Sequence, residues 1–217
     1  MKERGMIFNS EMVRAILDGR KTQTRRPVKP QPELTERSGF SWNGVVFGSG
    51  SDDRETNRNF AHVKCPFGKP GDRIWVRETW QVIHDHIDES SHVEYRTYAP
   101  SIPKEKDRYW HTVYAEHFGD ESREDRGFPW RPAIHMPRWA SRILLEITDV
   151  RVERLRGLSE EDAKSEGIIP SAGGVLPGWE YRINFRDLWM DIYGTDNWEA
   201  NPWVWVIEFK RVEGGAA

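Results

Sequence analysis

The chain has 217 residues, a length that suits one domain with insertions or at most two small domains. Its formal net charge is -3, so it is not a uniformly basic nucleic-acid-binding protein. No stretch approaches the ~20 apolar residues of a membrane-spanning helix, and the N-terminus lacks the apolar run of a secretory signal. We therefore expect no membrane partner and a cytoplasmic location, which also suits a chain whose only cysteine is Cys65.

The chain is rich in arginine, relative to lysine, and in tryptophan. The 32 basic residues comprise 23 arginines and 9 lysines, and the chain has 11 tryptophans. Arginine makes planar, bidentate contacts with phosphate and stacks on rings, which lysine does less well. Two interpretations stay open: a tryptophan-anchored core with solvated arginine faces, or an arginine and aromatic surface for nucleotides.

The N-terminal residues predict a strand followed by a helix. Residues 5–8 are typical of a short strand, and Asn9 or Ser10 can cap the next helix. Gly19 is suited to the left-handed conformation that ends a helix. The apolar face of this helix is formed by residues at helical spacing, namely Met12, Val13, Ile16 and Leu17.

Two polar segments interrupt the middle of the chain. Residues 30–64 are rich in Gly, Ser, Asp and Asn, and predict an extended loop with room for one hairpin. Residues 100–129 form the second insertion and include an acidic patch. Between them, residues 73–80 and 92–98 alternate apolar and polar side chains as strands do.

The second half of the chain begins with the longest predicted strand. It covers residues 142–154, and a slip in the alternation at Thr148-Asp149 indicates a bulge. A short helix follows, capped by Ser159, with acidic residues in its first turn and Gly167 at its end.

A second amphipathic helix, a strong strand and a frayed tail complete the chain. The helix covers residues 181–192 and is ended by Gly194, and the strand covers 203–209. Residues 213–217 are the tail. Since no strand-helix-strand rhythm is present, the pattern favours an α+β fold with a small closed or half-closed β-barrel and peripheral helices.

Basic residues cluster just after the first helix. The first thirty residues hold eight basic and three acidic side chains, and residues 20–29 hold five basic ones and no acid. A favourable charge at a helix C-terminus accounts for one or two basic residues, but not for five. The cluster therefore predicts contact with an anion or a nucleic acid.

Residues 19–26 form a G-x-K-x-x-T-x-R pattern, and here the sequence resembles the ASCH family, whose domains share a PUA-like barrel. The similarity includes the Gly71-Asp72 turn, the helix at 158–163 and the aromatic strand at 203–209. The resemblance implies one PUA-like domain over residues 1–217, with the two polar segments as insertions. The long form, with Cys65-Pro66 and residues 130–139, is similar to versions encoded by bacteriophages and prophages.

The resemblance implies two kinds of activity. Many ASCH members are regarded as RNA-binding modules, and one bacterial member removes the acetyl group from N4-acetylcytidine. The catalytic Lys, Thr and Glu of that member fall, by motif position, on Lys21, Thr24 and Glu166. The implied function is an amidohydrolase that acts on an N4-acylated cytosine nucleoside without cofactor or metal. The alternatives are a non-catalytic RNA- or DNA-binding module and a ribonuclease.

Amide hydrolysis by these three residues requires particular protonation states of Lys21 and Glu166. Thr24 would attack the carbonyl as its proton passes to Lys21, which the segment brings near if it turns back on itself. Free lysine titrates near ~10.4, so the base role needs a pKa lowered by roughly 2–3 units. Neighbouring arginines and burial act in that direction. Glu166 would hold a proton for the leaving nitrogen.

Further residues are candidates for contact with a nucleoside or a single-stranded nucleic acid, while nothing in the sequence identifies a protein partner. Three are arginines of the motif, three belong to the 73–80 segment and one is a later tryptophan: Arg20, Arg25, Arg26, Arg77, Glu78, Trp80 and Trp139. His84 and His86 lie close to Asp85 and Asp88, but no complete metal-ligand pattern accompanies them. We expect no metal site.

Overall fold

The computed structural model describes residues 1–35, 39–47, 54–101, 108–170, 173 and 177–212. The predicted frayed tail at 213–217 lies outside the described residues. Within them, helices and strands both occur, which confirms the α+β class. No helix in this part of the chain combines the length and the apolar character that crossing a membrane requires.

The described strands form three sheets. In chain order they are β1 (Glu3–Ile7), β2 (Gln23–Pro27), β3 (Glu33–Leu34), β4 (Phe40–Trp42), β5 (Val45–Phe47), β6 (Arg73–Arg77), β7 (Trp80–Ile87), β8 (Val93–Tyr98), β9 (Trp110–Tyr114), β10 (Leu144–Arg154) and β11 (Trp203–Arg211). The largest sheet has the order β1-β6-β10-β11-β2. Its edges are β1 and β2, and the described residues show no closed barrel.

Six α-helices accompany these sheets in the described residues: α1 (Ser10–Leu17), α2 (Arg54–Lys64), α3 (Arg123–Arg126), α4 (Glu160–Ser165), α5 (Glu180–Tyr193) and α6 (Thr195–Glu199). Local sequence sets several of their ends. Asn9 Oδ1 accepts a hydrogen bond from Met12 N at 2.8 Å, and Gly19 has a φ of +74° after α1. Both predicted signals are therefore confirmed.

The chain divides into two compact units. Of the described residues, the first contains those in 1–4, 15–74 and 144–212, and the second contains those in 5–14 and 75–143. In the first unit β10 pairs antiparallel with β11, which pairs antiparallel with β2. The β10-β11 register shifts between Ile147 and Asp149, which confirms the predicted bulge.

The first unit buries apolar side chains on both faces of these three strands. On the face that we call the α4 face, Val204 and Val206 pack in a buried cluster with residues of α4, α5 and the preceding turn: Leu155, Leu158, Ala163, Phe185 and Trp189. On the opposite face, the α2 face, the Trp205 ring stacks on Phe60 with centroids 5.7 Å apart. Trp42 meets Trp205 edge-on at 5.6 Å.

The prediction of an extended loop at 30–64 is wrong for most of the segment. Its described residues form the β3-β4-β5 sheet, which includes the one predicted hairpin, and α2. The helix was missed because its sequence is polar and its apolar residues are few, with Phe60 and Ala61 buried and Val63 exposed. Two buried residues do not produce a recognisable helical period.

The second unit contains the β8-β7-β9 sheet and a buried cluster of Trp80, Val82, Met136 and Ala140. The predicted strand at 92–98 is confirmed as β8. The 100–129 segment, predicted as a polar insertion, supplies β9 and α3. β9 was missed because it is a five-residue strand beside charged residues, and its sheet partner β7 lies more than twenty residues earlier.

Candidate functional site

Backbone pairing places the G-x-K-x-x-T-x-R segment beside α4. Lys21 forms an isolated antiparallel bridge with Glu166, and Thr22 N donates to Ser165 O at 2.8 Å. Glu166 follows the last residue of α4, whose start is fixed by a capping box between Ser159 and Asp162. The cap that the sequence predicts thus determines where the carboxylate of Glu166 lies.

Lys21 and Glu166 form a buried ion pair. Lys21 Nζ donates to Glu166 Oε2 at 2.8 Å and to the Glu166 carbonyl oxygen at 2.7 Å. The Lys21 side chain is fully buried and that of Glu166 is 5% exposed. Burial lowers the pKa of Lys21, and the charges of Arg26 and Arg25 lower it further, although Glu166 opposes the shift.

Arg25 extends this pair into a cluster. Its Nη1 donates to Glu166 Oε1 at 3.2 Å, and its Nη2 lies 3.3 Å from both Glu153 Oε2 and Asp162 Oδ2. The Arg25 side chain is fully buried, so these carboxylates compensate a charge that water does not reach.

Arg151 of β10 completes the cluster. Its Nε donates to Glu153 Oε1 at 2.6 Å and its Nη2 donates to Asp162 Oδ1 at 3.1 Å, while Nη1 binds Glu208. We call the seven residues the β2 charge cluster: Lys21, Arg25, Arg151, Glu153, Asp162, Glu166 and Glu208. Burial raises the pKa of Asp162, but Arg25, the Ser159 hydrogen bonds and Arg151 outweigh it, so the pKa lies below its ordinary value.

The Thr24 side chain belongs to the other face of β2. Side chains alternate along a strand, and residues directly opposite in an antiparallel pair share a face. Arg25 lies opposite Val206 and so belongs to the α4 face, whereas Thr24 lies opposite Ile207 and belongs to the α2 face. Because the segment continues as a strand instead of turning back, the structure brings Lys21 and Glu166 together but not Thr24.

A cavity of about 710 Å³ adjoins the β2 charge cluster in the first unit. Its lining combines polar, charged and aromatic side chains from α2, β10, α4 and β11, among them Asn57, Arg58, Glu153, Arg154, Asp162 and Trp203. Glu153 and Asp162 belong to both the cavity and the cluster. Lys21 and Glu166 are not among the lining residues, and Arg25 connects them to it.

Two further predicted contact residues of the first unit lie apart from this cavity. Arg20 pairs with Asp18 at 3.0 Å and its Nη1 donates to the Gly167 carbonyl oxygen at 3.0 Å. Arg26 is not among the lining residues. It lies opposite Trp205 and therefore belongs to the α2 face with Thr24.

The remaining four predicted contact residues belong to the second unit. Glu78 is 2% exposed and accepts both hydrogen bonds of the Arg142 fork, at 3.0 and 2.9 Å. Burial raises the pKa of Glu78 although Arg142 opposes the shift. Trp80 is fully buried, while Trp139 is 49% exposed and meets it edge-on at 5.8 Å. Arg77 donates to the Ile134 carbonyl oxygen.

The sequence interpretation missed most of the residues around Lys21 and Glu166. Arg151 and Glu153 alternate with the buried Val150 and Val152 along β10, and this alternation was the available signal for charges on one face. Arg154 and Trp203 gave no such signal. In the described part of the chain, no group of three or more His, Cys, Asp or Glu is placed to hold a metal ion.

Gly167 packs closely against Ala15 and Lys21. Its φ is +84°, and a Cβ added there would lie 2.7 Å from Ala15 Cβ and 2.9 Å from Lys21 Cβ. We therefore expect Gly167→Ala to destabilise the fold by about 2–4 kcal/mol, through the left-handed backbone and overpacking together. Gly19→Ala is the control, because Gly19 has a similar φ of +74° with nothing within 4 Å.

Urea unfolding of both glycine variants checks this prediction. Gly19→Ala should lose only the backbone contribution of about 1–2 kcal/mol. Equal losses in the two variants would show that the close approach at Gly167 does not matter.

Comparisons with known proteins give no family assignment. No family model, no curated protein and no solved structure matches the chain.

Proposed function

We propose that the chain recognises a nucleoside, free or within a single-stranded nucleic acid, in the cavity beside the β2 charge cluster. The observation that carries this proposal is the cavity itself. Its volume of about 710 Å³ lies within the ~300–1,000 Å³ of small-molecule sites. The cavity is lined by carboxylates, guanidinium groups, an amide and an indole ring.

The carboxylates and the amide match features of a nucleobase. The carboxylates of Glu153 and Asp162 can accept hydrogen bonds from an exocyclic amino group such as cytosine N4. Trp203 contributes an aromatic ring to the wall of the cavity. Asn57 Oδ1 is buried with no hydrogen-bond partner among the described residues, so it is an acceptor that a base N–H would satisfy.

The family assignment is part of the proposal. The G-x-K-x-x-T-x-R segment leads from α1 into β2, and β2 pairs with the aromatic strand β11. Lys21 of this segment forms a bridge with Glu166, which directly follows α4. This order of elements supports an ASCH domain with a PUA-like arrangement. The motif supports a nucleic-acid-related role because the family includes RNA-binding members.

A second candidate function is amidohydrolysis of an N4-acylated cytosine nucleoside. The contact between Lys21 and Glu166 at 2.8 Å favours it, together with the lowered pKa of Lys21. Since Thr24 belongs to the other face of β2, the nucleophile in this proposal is water. In the reactive state the proton of the ion pair has passed from Lys21 to Glu166, which leaves both groups neutral. Water then gives one proton to Lys21 and bonds to the acyl carbon, Glu166 protonates N4 as the C–N bond breaks, and proton transfer from Lys21 to Glu166 restores the neutral pair.

Titration with cytidine, followed by calorimetry, tests recognition. Asn57→Ala is expected to weaken cytidine binding by about 3–10-fold, the value of one hydrogen bond. Asn59→Ala is the matched control, because Asn59 is exposed on the same helix and does not line the cavity. Absence of binding by the wild-type protein at millimolar cytidine, or equal losses in the two variants, would contradict the proposal.

Acetate release from N4-acetylcytidine tests the hydrolase. Glu166→Gln and Lys21→Arg are expected to lower turnover at least 100-fold, the usual contribution of a proton-transferring group, with circular dichroism showing that each variant is folded. Loss of turnover in a folded Thr24→Val variant would overturn the water nucleophile. Salt-dependent RNA binding without turnover favours the non-catalytic module, and cleavage of single-stranded RNA favours the ribonuclease.

A further inference from the structure

We propose that the ligand of the cavity is a phosphorylated nucleoside, whose phosphate is bound by Arg154 and Arg58. This inference rests on the proposed nucleoside recognition and adds the chemical class of the ligand. It starts from the different surroundings of the three arginines that line the cavity, namely Arg58, Arg151 and Arg154.

Arg154 has ring contacts but no carboxylate partner. Its guanidinium carbon lies 4.5 Å from the centroid of the Trp203 ring and 5.2 Å from that of Phe40. Nη1 donates to the Asn201 carbonyl oxygen at 3.1 Å. Among the described residues no Asp or Glu oxygen lies within ion-pair distance, and partial burial lowers the pKa of Arg154 without an opposing charge.

Arg151 shows the contrasting case in the same cavity. Glu153, Asp162 and Glu208 all bind it. Burial lowers the pKa of Arg151, but Glu153 and Glu208 raise it above its ordinary value. The two cavity carboxylates, Glu153 and Asp162, are thus engaged with Arg151 and with Arg25. Neither is left to neutralise Arg154.

Arg58 adds a second donor group to the cavity. Its Nε pairs with Asp149 Oδ2 at 3.0 Å, and Asp149 also contacts His62 Nε2 at 2.9 Å. Within the described residues no hydrogen bond engages the Nη groups of Arg58, and its side chain is 51% exposed. A guanidinium that is held at Nε presents its Nη edge to a ligand in a fixed orientation.

Two arginines at one cavity suit an anion with several oxygens. Guanidinium groups bind phosphate through paired N–H···O bonds, and the contact of Arg154 with two rings reduces the side-chain freedom lost on binding. Asn57, whose Oδ1 has no hydrogen-bond partner among the described residues, remains for the base. The arrangement therefore fits a phosphate attached to a nucleoside better than it fits a neutral nucleoside.

Calorimetric titrations with cytidine and with cytidine 5′-monophosphate test this inference. The wild-type protein is expected to bind the monophosphate at least tenfold more tightly, and NaCl should weaken only that binding. Arg154→Met keeps the aliphatic stem and should reduce the preference, because only Arg58 then remains for the phosphate, and Arg154→Lys should restore part of it. Arg156→Met is the control, since Arg156 pairs with Glu199 at 2.7 Å and does not line the cavity.

The outcomes separate this inference from the proposed function. Equal affinities for cytidine and its monophosphate overturn the inference and leave nucleoside recognition standing, whereas absence of binding by both overturns nucleoside recognition. A preference that is undiminished in a folded Arg154→Met variant also overturns the inference. A 5′-phosphorylated trinucleotide, titrated in parallel, distinguishes a nucleic-acid end from a free nucleotide as the source of the phosphate.

Discussion

Glutamine in place of Glu166 is expected to lower the free energy of unfolding by about 3–5 kcal/mol, the usual cost of removing one partner of a buried ion pair. Lys21 is fully buried, and its Nζ donates to the carboxylate and the carbonyl oxygen of Glu166. The variant therefore leaves the ammonium group without its counter-charge. Urea unfolding measures the loss.

Two further variants separate charge from packing at this site. Glu161→Gln is the matched control, because Glu161 is exposed on the same helix, and it should change stability by less than about 0.5 kcal/mol. Replacing both partners, as Lys21→Met with Glu166→Leu, should cost less than Glu166→Gln alone, since neither buried charge remains. A loss below about 1 kcal/mol for Glu166→Gln would contradict a buried, dehydrated pair.

Alanine in place of Trp205 is expected to destabilise the first unit by about 3–5 kcal/mol, the usual effect of truncating a large buried aromatic residue. Trp205 is 1% exposed, stacks on Phe60 of α2 and meets Trp42 of β4. Both contacts come from the polar 30–64 segment. The variant should also increase hydrogen exchange at the backbone amides of α2, because that helix packs on this ring.

Trp179→Ala is the control for this substitution. Trp179 is 46% exposed, and its ring contacts the guanidinium of Arg182 at 4.4 Å, so we expect a loss of at most about 1 kcal/mol. If the two variants lost similar stability, or if exchange in α2 did not change, α2 would not be packed on β11 as the structure has it.

Local signals in the sequence predicted the elements that carry them. Asn9, Gly19, the slip at Thr148-Asp149 and the Ser159 cap each act on neighbouring backbone, and each was confirmed. The segments at 54–64 and 110–114 were missed because their structure depends on distant partners. Phe60 is buried by Trp205, and β9 is held by β7.

The candidate site was predictable to a smaller extent. The motif identified Lys21 and Glu166, which the structure places in contact. It also grouped them with Thr24, a grouping that depends on local conformation: residues three apart share a face in a helix but not in a strand. The carboxylates and arginines of β10 came together with β2 only through strand pairing, which spacing along the chain does not reveal.

A crystal structure of the protein saturated with cytidine shows directly whether the cavity binds a nucleoside. We expect the base in the cavity of about 710 Å³, next to Trp203, with Asn57 Oδ1 accepting a hydrogen bond from it. Cytidine bound at another place, or an empty cavity at saturating cytidine, would contradict nucleoside recognition at this site.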